Sequence, residues 1–154
     1  MRYAAQTTVS ADRSRAEIES LLRKHGATGF VYGWQDEKAR VEFLMKNRHL
    51  RFELTLPKAA EFWRTPGGRR QRSPEDRDRA WEQAGRASWR ALLLIIKAKL
   101  EAIAVGVSVF DDEFLAYVVT RDGRTVGQVI VPQLATHGSG RLMLGAGVER
   151  EAQQ

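Results

Sequence analysis

Gly29-Phe30-Val31-Tyr32-Gly33-Trp34, followed by Arg40-Val41-Glu42-Phe43-Leu44-Met45 and Leu50-Arg51-Phe52-Glu53-Leu54-Thr55-Leu56, is the stretch that decides the fold. In each run the large apolar residues fall on every second position: Phe30, Tyr32 and Trp34, then Val41, Phe43 and Met45, then Leu50, Phe52, Leu54 and Leu56. Period two places them on one face of an extended strand. The separators Gln35-Asp36-Glu37-Lys38 and Lys46-Asn47-Arg48 are short and polar, so the pattern predicts a three-stranded antiparallel meander. Its apolar face requires a cover. Its other face carries Arg40, Glu42, Arg51, Glu53 and Thr55, a mixed set suited to solvent and to cross-strand pairing.

Upstream, Ser14-Arg15-Ala16-Glu17 has the spacing of a capping box. Ile18, Leu21 and Leu22 give a short helix its apolar side, and Gly26 suits its end. Downstream, Pro57 closes the third strand. Thr65-Pro66-Gly67-Gly68-Arg69-Arg70-Gln71-Arg72 then combines chain breakers with like charge, which predicts a mobile basic loop over 64–73. Ser73-Pro74-Glu75-Asp76 starts a helix, with serine as cap, proline at the first helical position and two acids at the positive end. Nothing breaks that helix before about Val105, a span of roughly 30 residues and about 45 Å. Its second half holds Trp89, Leu92, Leu93, Leu94, Ile95, Ile96, Leu100 and Ile103 and is the expected spine of the core, packed on the sheet. The first half, rich in arginine, is expected to project. After Gly106, residues 107–119 fit either a strand pair or a short helix begun by Asp111-Asp112-Glu113. Asp122-Gly123 suits a turn between Ala116-Tyr117-Val118-Val119 and the run from Thr125 to Val131, which favours a small C-terminal hairpin. Residues 137–154 hold four glycines and little apolar sequence apart from Leu142-Met143-Leu144, and read as a flexible tail. The expected architecture is α+β, with one domain over 1–136.

The chain has 154 residues, 43% of them hydrophobic, which suffices for one core and not for two. A formal net charge of +6 favours acidic partners. With no cysteine, disulfides and thiolate chemistry are excluded. Met1 to Ser10 contains no apolar leader core, and the run Ala91 to Ile96 is far too short to span a bilayer. These features suggest a cytoplasmic protein with no membrane partner. The strongest local signal is eight arginines and no lysine between Arg64 and Arg90, against four acids. At 100° per residue, Arg79, Arg86, Arg90 and Lys97 lie within about 20° of one line, with Trp81, Ala84, Ser88, Leu92, Ile95 and Ala102 clustered opposite. Arginine's planar fork of donors matches phosphate. The expected contact residues are therefore Arg64, Arg69, Arg70 and Arg72 on the loop and Arg79, Arg86, Arg90 and Lys97 on the helix. Trp63 beside them could stack on bases. Balanced by Glu75, Asp76, Asp78 and Glu82, the same arginines could instead form a solvated surface.

Other chemistry finds less support in the spacing. His25, His49 and His137 are scattered and include no His-x-x-x-His pair, so no metal site is expected. Asp111, Asp112, Glu113 and Asp122 could serve a Mg²⁺-dependent nuclease, although acids before an apolar run more commonly start a helix. Glu42 with Lys46 or Glu53 lacks the proline-aspartate turn of a carboxylate–lysine nuclease site. Gly138-Ser139-Gly140 and Gly145-Ala146-Gly147 lack the Lys-Ser or Lys-Thr of a phosphate loop. No cofactor is implied.

The pattern Arg13-Ser14-Arg15-Ala16-Glu17-Ile18-Glu19, Gly26-Ala27-Thr28-Gly29-Phe30-x-Tyr32-Gly33 and Arg51-Phe52-x-Leu54-x-Leu56-Pro57, continuing to Asp122-Gly123-Arg124-Thr125-Val126-Gly127, resembles a family of small proteins from bacterial mobile elements and phages. That resemblance implies a role in recombination, replication or counter-defence. In topology, a three-stranded meander followed by a long basic helix is similar to the β-β-β-α core of single-strand annealing recombinases, which hold DNA between sheet and helix and form rings or filaments. The leading expectation is a non-enzymatic nucleic-acid-binding protein of a phage or mobile element that binds or anneals single-stranded DNA. Its rival is a protein-binding counter-defence factor, or a component of a ribonucleoprotein complex, whose arginine ridge meets an acidic protein surface.

Overall fold

In the computed structural model, which describes residues 7–138, the chain folds as α+β. The order is α1 (Ala11–Lys24), β1 (Gly29–Gln35), β2 (Lys38–Met45), β3 (Arg48–Thr55), a 3₁₀ turn (Ala59–Phe62), α2 (Pro74–Ala104), α3 (Phe110–Phe114), a second 3₁₀ turn (Leu115–Tyr117) and α4 (Val126–His137). The expected tail lies outside the described residues from 139 onward, together with Leu142-Met143-Leu144 and both glycine clusters apart from Gly138.

The meander forms as the alternation requires, in the order β1-β2-β3 with both pairs antiparallel. Met45 pairs with Arg48, which leaves a two-residue turn, and both of its residues, Lys46 and Asn47, adopt positive φ as a twisted hairpin demands. The buried residues Ala39, Val41, Phe43, Met45, Leu50 and Phe52 share one face. On the other face Arg40 stands opposite Glu53 and Glu42 opposite Arg51, and both pairs form ion pairs, at 3.2 and 2.8 Å.

Helix α2 covers the apolar face through Trp89, Leu92, Leu93, Ile96 and Leu100. Their mean direction lies about 100° around the helix from the apolar line expected at Trp81, Ala84, Ser88, Leu92, Ile95 and Ala102, with Leu92 common to both sets, and nearly as far from the arginine line. The apolar residues of this half span more than half the circumference. Which of them faces inward is settled by α1, which packs beside α2. Helix α1 starts at Ala11 and is capped by Ser10, whose hydroxyl accepts from Arg13 N at 3.2 Å. The expected cap, Ser14, is instead buried with Ile18 and Leu22, and its hydroxyl has no partner among the described residues. Arg15 joins the layers, its guanidinium 4.7 Å from the Tyr32 ring centroid and 5.2 Å from that of Trp89. The first half of α2 does not project freely. It packs on the 3₁₀ turn at 59–62, and Trp81 Nε1 donates to Pro57 O at 2.7 Å.

The C-terminal hairpin is replaced by helices. The Asp122-Gly123 turn forms, with Gly123 at φ +80° and Gly123 N donating to Thr120 O. Only a single bridge, Val119 to Thr125, remains of the strand pair. Thr125 then caps α4 in a complete capping box: its hydroxyl accepts from Gln128 N while its own N–H donates to Gln128 Oε1. This reciprocal pair overrides the strand preference of Val129, Ile130 and Val131. The preceding segment takes the helical option, and Phe110 and Phe114 of α3 close the end of the core against Phe43 and Phe52. Val118 bridges Leu50 on the β3 edge, and Gly127 lies so near Ala116 O that a Cβ there would stand 3.0 Å from it.

Candidate nucleic-acid interface

Each of the arginines predicted on α2 has a partner, and of the three Arg90 is the one that reaches α1. Arg79 Nη2 donates to Asp76 Oδ1 at 2.8 Å. Arg86 donates twice to Gln83 Oε1, at 3.1 and 2.6 Å, with Glu82 at 4.0 Å. Arg90 Nη1 reaches across to Glu17 Oε2 on α1 at 3.0 Å, and its side chain is only 28% exposed. Lys97 is exposed but stands 18 residues beyond Arg79, about 27 Å along the axis. The line is therefore partly a helix–helix seam rather than one continuous basic ridge.

The loop before α2 is organised differently. The segment expected to be mobile forms a hydrogen-bonded turn: Thr65 N donates to Arg70 O, Gly68 N to Thr65 O and Arg72 N to Trp63 O, and Arg64 bridges Gln71. Gly67 and Gly68 supply the left-handed residues, at φ +86° and +71°. Arg64 Nη1 donates to Gly68 O, and Arg72 Nη1 donates to Phe62 O and Arg64 O, so these two side chains hold the loop together. Trp63 is half-buried and capped by Arg77, whose guanidinium lies 4.3 Å from the ring centroid. Both Arg69 and Arg70 are exposed, and neither side chain has an ion-pair or hydrogen-bond partner among the described residues. Of the predicted set, the structure gathers Trp63, Arg64, Arg69, Arg70 and Arg72 at the N-terminal end of α2 and leaves Lys97 apart.

Two features of this region are not anticipated by the sequence pattern. Trp34 has the core-facing parity of its edge strand yet is 70% exposed, while Ala39, its partner on β2, is fully buried. Next to it, between the β1–β2 hairpin tip and the first half of α2, lies an open cleft of about 720 Å³. Its walls include Leu56, Pro57, Trp81 and Trp89, with Asp36, Glu37, Lys58, Glu82 and Arg86 among its charged residues. The sequence signal was present in Trp81 and Gly85 on one helix, but their exposure depends on how far the segment 57–60 stands from α2.

Elsewhere, the charged groups serve the fold. Burial raises the Glu42 carboxyl, but hydrogen bonds from Arg51 and His49 outweigh this and hold it below the usual carboxylate range. Arg51 also donates to Gly123 O at 2.7 Å, which ties the sheet to the Asp122 turn. Of the acids considered for Mg²⁺, Asp111, Glu113 and Asp122 are engaged within the fold, and Asp112 is exposed without an ion pair among the described residues. Asp111 pairs with Arg48, and Glu113 is lowered by Ser108 and Lys99. Asp122 is lowered to about 2 by the Thr120 hydroxyl and Arg124. Among the described residues no group of three His, Asp or Glu side chains could hold a metal ion, and no helix is long and apolar enough to cross a membrane. No family profile, curated protein or solved structure matches the chain.

Proposed function

We propose that the protein binds nucleic acid without catalysing a reaction on it, favouring single strands, and that the loop at 64–72 is its phosphate contact. The observation that carries this reading is the pair Arg69 and Arg70: adjacent, exposed and unpaired on a hydrogen-bonded loop, in a protein whose other arginines mostly meet carboxylates or carbonyls. An unpaired arginine gives its full charge and donor fork to a phosphate, and binding releases the counterions that the phosphate had held. The exposed Trp34 and Trp81 near the hairpin tip add stacking surface that an unpaired strand offers and a duplex does not. Fluorescence anisotropy with labelled single-stranded DNA, duplex DNA and RNA at about 50 mM salt tests it. Single-strand binding that weakens steeply with salt is expected, and absence of binding to all three would overturn it.

A second reading, a protein-binding module, is favoured by α4. It contains no Asp, Glu, Lys or Arg and no buried residue, and it exposes Ile130 at 42%, Val131 at 63% and Leu134 at 52%. An uncharged, apolar exposed helix suits a protein surface. Ile130→Glu with Leu134→Glu would abolish capture of a protein partner under this reading while leaving oligonucleotide affinity unchanged.

A further inference from the structure

We propose that the cleft between the β1–β2 hairpin tip and α2 receives one unpaired nucleobase bearing an exocyclic amine: cytosine, adenine or guanine rather than thymine or uracil. The inference rests on the nucleic-acid reading above and assigns the cleft a ligand. At about 720 Å³ the cleft is larger than a single base needs, and its apolar walls suit a flat ring. Trp81 is 41% exposed, and the bond from its Nε1 to Pro57 O fixes the indole, so a stacking partner need not order it.

Gly85 lines the same cleft. A glycine in a helix interior is destabilising relative to alanine, and nothing in the chain lies within 4 Å of the position its Cβ would take. Packing therefore does not require glycine there, whereas an approaching ring does. The charges make the choice of ligand. Asp36, Glu37 and Glu82 face the cleft against Lys58 and Arg86. Glu37 is held by Lys58 at 2.8 Å, and Arg86 donates to Gln83 with Glu82 at 4.0 Å, so Asp36 is the lining carboxylate without an ion pair among the described residues. The lining carries three acids against two bases in a chain of charge +6. An exocyclic amine can donate to that carboxylate, whereas the N3–H of thymine or uracil is flanked by two carbonyls that repel it. The cleft wall at Pro57–Ala60 continues through the 3₁₀ turn into Trp63 and the arginine loop, and Trp81 lies about 10 Å along α2 from Pro74, a span of a few nucleotides.

The test uses the full chain, with cytidine and thymidine as probes read by the indole N–H resonance of Trp81, assigned with Trp81→Phe, and labelled oligo-dC and oligo-dT read by anisotropy. Gly85→Leu fills open space and raises helix propensity, so the fold is retained while the cleft floor is blocked. Cytidine is expected to shift the Trp81 resonance, thymidine to leave it, and Gly85→Leu to abolish the shift. Oligo-dC should bind at least about fivefold tighter than oligo-dT, with the difference falling within about twofold in Gly85→Leu. Absence of a cytidine shift, or a shift that survives Gly85→Leu, overturns the assignment and leaves the cleft to a protein side chain. A cytidine shift without binding of either oligonucleotide supports the cleft and sinks the loop reading instead.

Discussion

Arg90 and Arg70 sit beside the same helix, one on its flank and one on the loop before its first turn, and their surroundings differ. Arg90 and its neighbours on α2 each have an acid or amide within reach: Glu17 across the seam, Gln83 one turn back, Asp76 three residues away. Arg70 and Arg69 have none among the described residues, because the loop's hydrogen bonds use its backbone and the side chains of Thr65, Arg64 and Arg72. Spacing along a helix places charge, but packing decides whether that charge is available to a partner. A paired arginine contributes to the fold. An unpaired one, on a framed loop, keeps its donor fork free of the fold.

The largest effect that separates the two regions is expected from Arg69→Glu with Arg70→Glu. Affinity for a single-stranded oligonucleotide should fall by roughly tenfold or more at about 100 mM salt, with the urea midpoint unchanged. A wild-type affinity in this variant would break the comparison. Arg90→Ala should show the converse: about 1 kcal/mol or less of stability lost, since both partners are partly solvated, and affinity within about twofold of wild type. Glu17→Ala should cost a similar amount, and the double variant less than the sum, by denaturant unfolding. Arg77→Ala removes the cation from the Trp63 ring, with an expected loss of about 0.5–1 kcal/mol and a change in tryptophan emission. The smallest effect is in acid. Because Glu42 lies below its ordinary pKa in the fold, its contribution is fully present above the usual carboxylate range and is lost as pH falls toward the folded value. The gap in urea midpoint between wild type and Glu42→Gln should therefore narrow as pH falls through the usual carboxylate range, below about pH 5. A gap that widened in acid would contradict the pairing.

Much of this arrangement is legible in the residues alone. The meander follows from alternation at Phe30 to Leu56, and α2 follows from Ser73-Pro74 and an uninterrupted helical run, since both signals are local. The identity of the buried face of α2 is not local. With apolar residues on several sides of its second half, only the docking of α1 selects Trp89, Leu93 and Ile96 over Ile95, and that same docking draws Arg90 into an ion pair. Helix α4 was readable from Thr125 and Gln128, but the β-branched run after them is the louder pattern. Trp34 has the parity of a core residue, but it stands on the edge strand β1 and is left in solvent while its partner Ala39 on the central strand is buried.

The most direct test of the central claim is the salt dependence of single-strand affinity, measured on wild type, on Arg69→Ala with Arg70→Ala, and on Arg86→Ala with Arg90→Ala. The slope of log affinity against log salt should shrink by about 1.4 in the loop pair, two single-strand phosphate contacts, and shrink by less in the α2 pair, whose Arg86 borders the cleft and whose Arg90 is held by Glu17. A slope that shrinks in the α2 pair and holds in the loop pair would contradict the account.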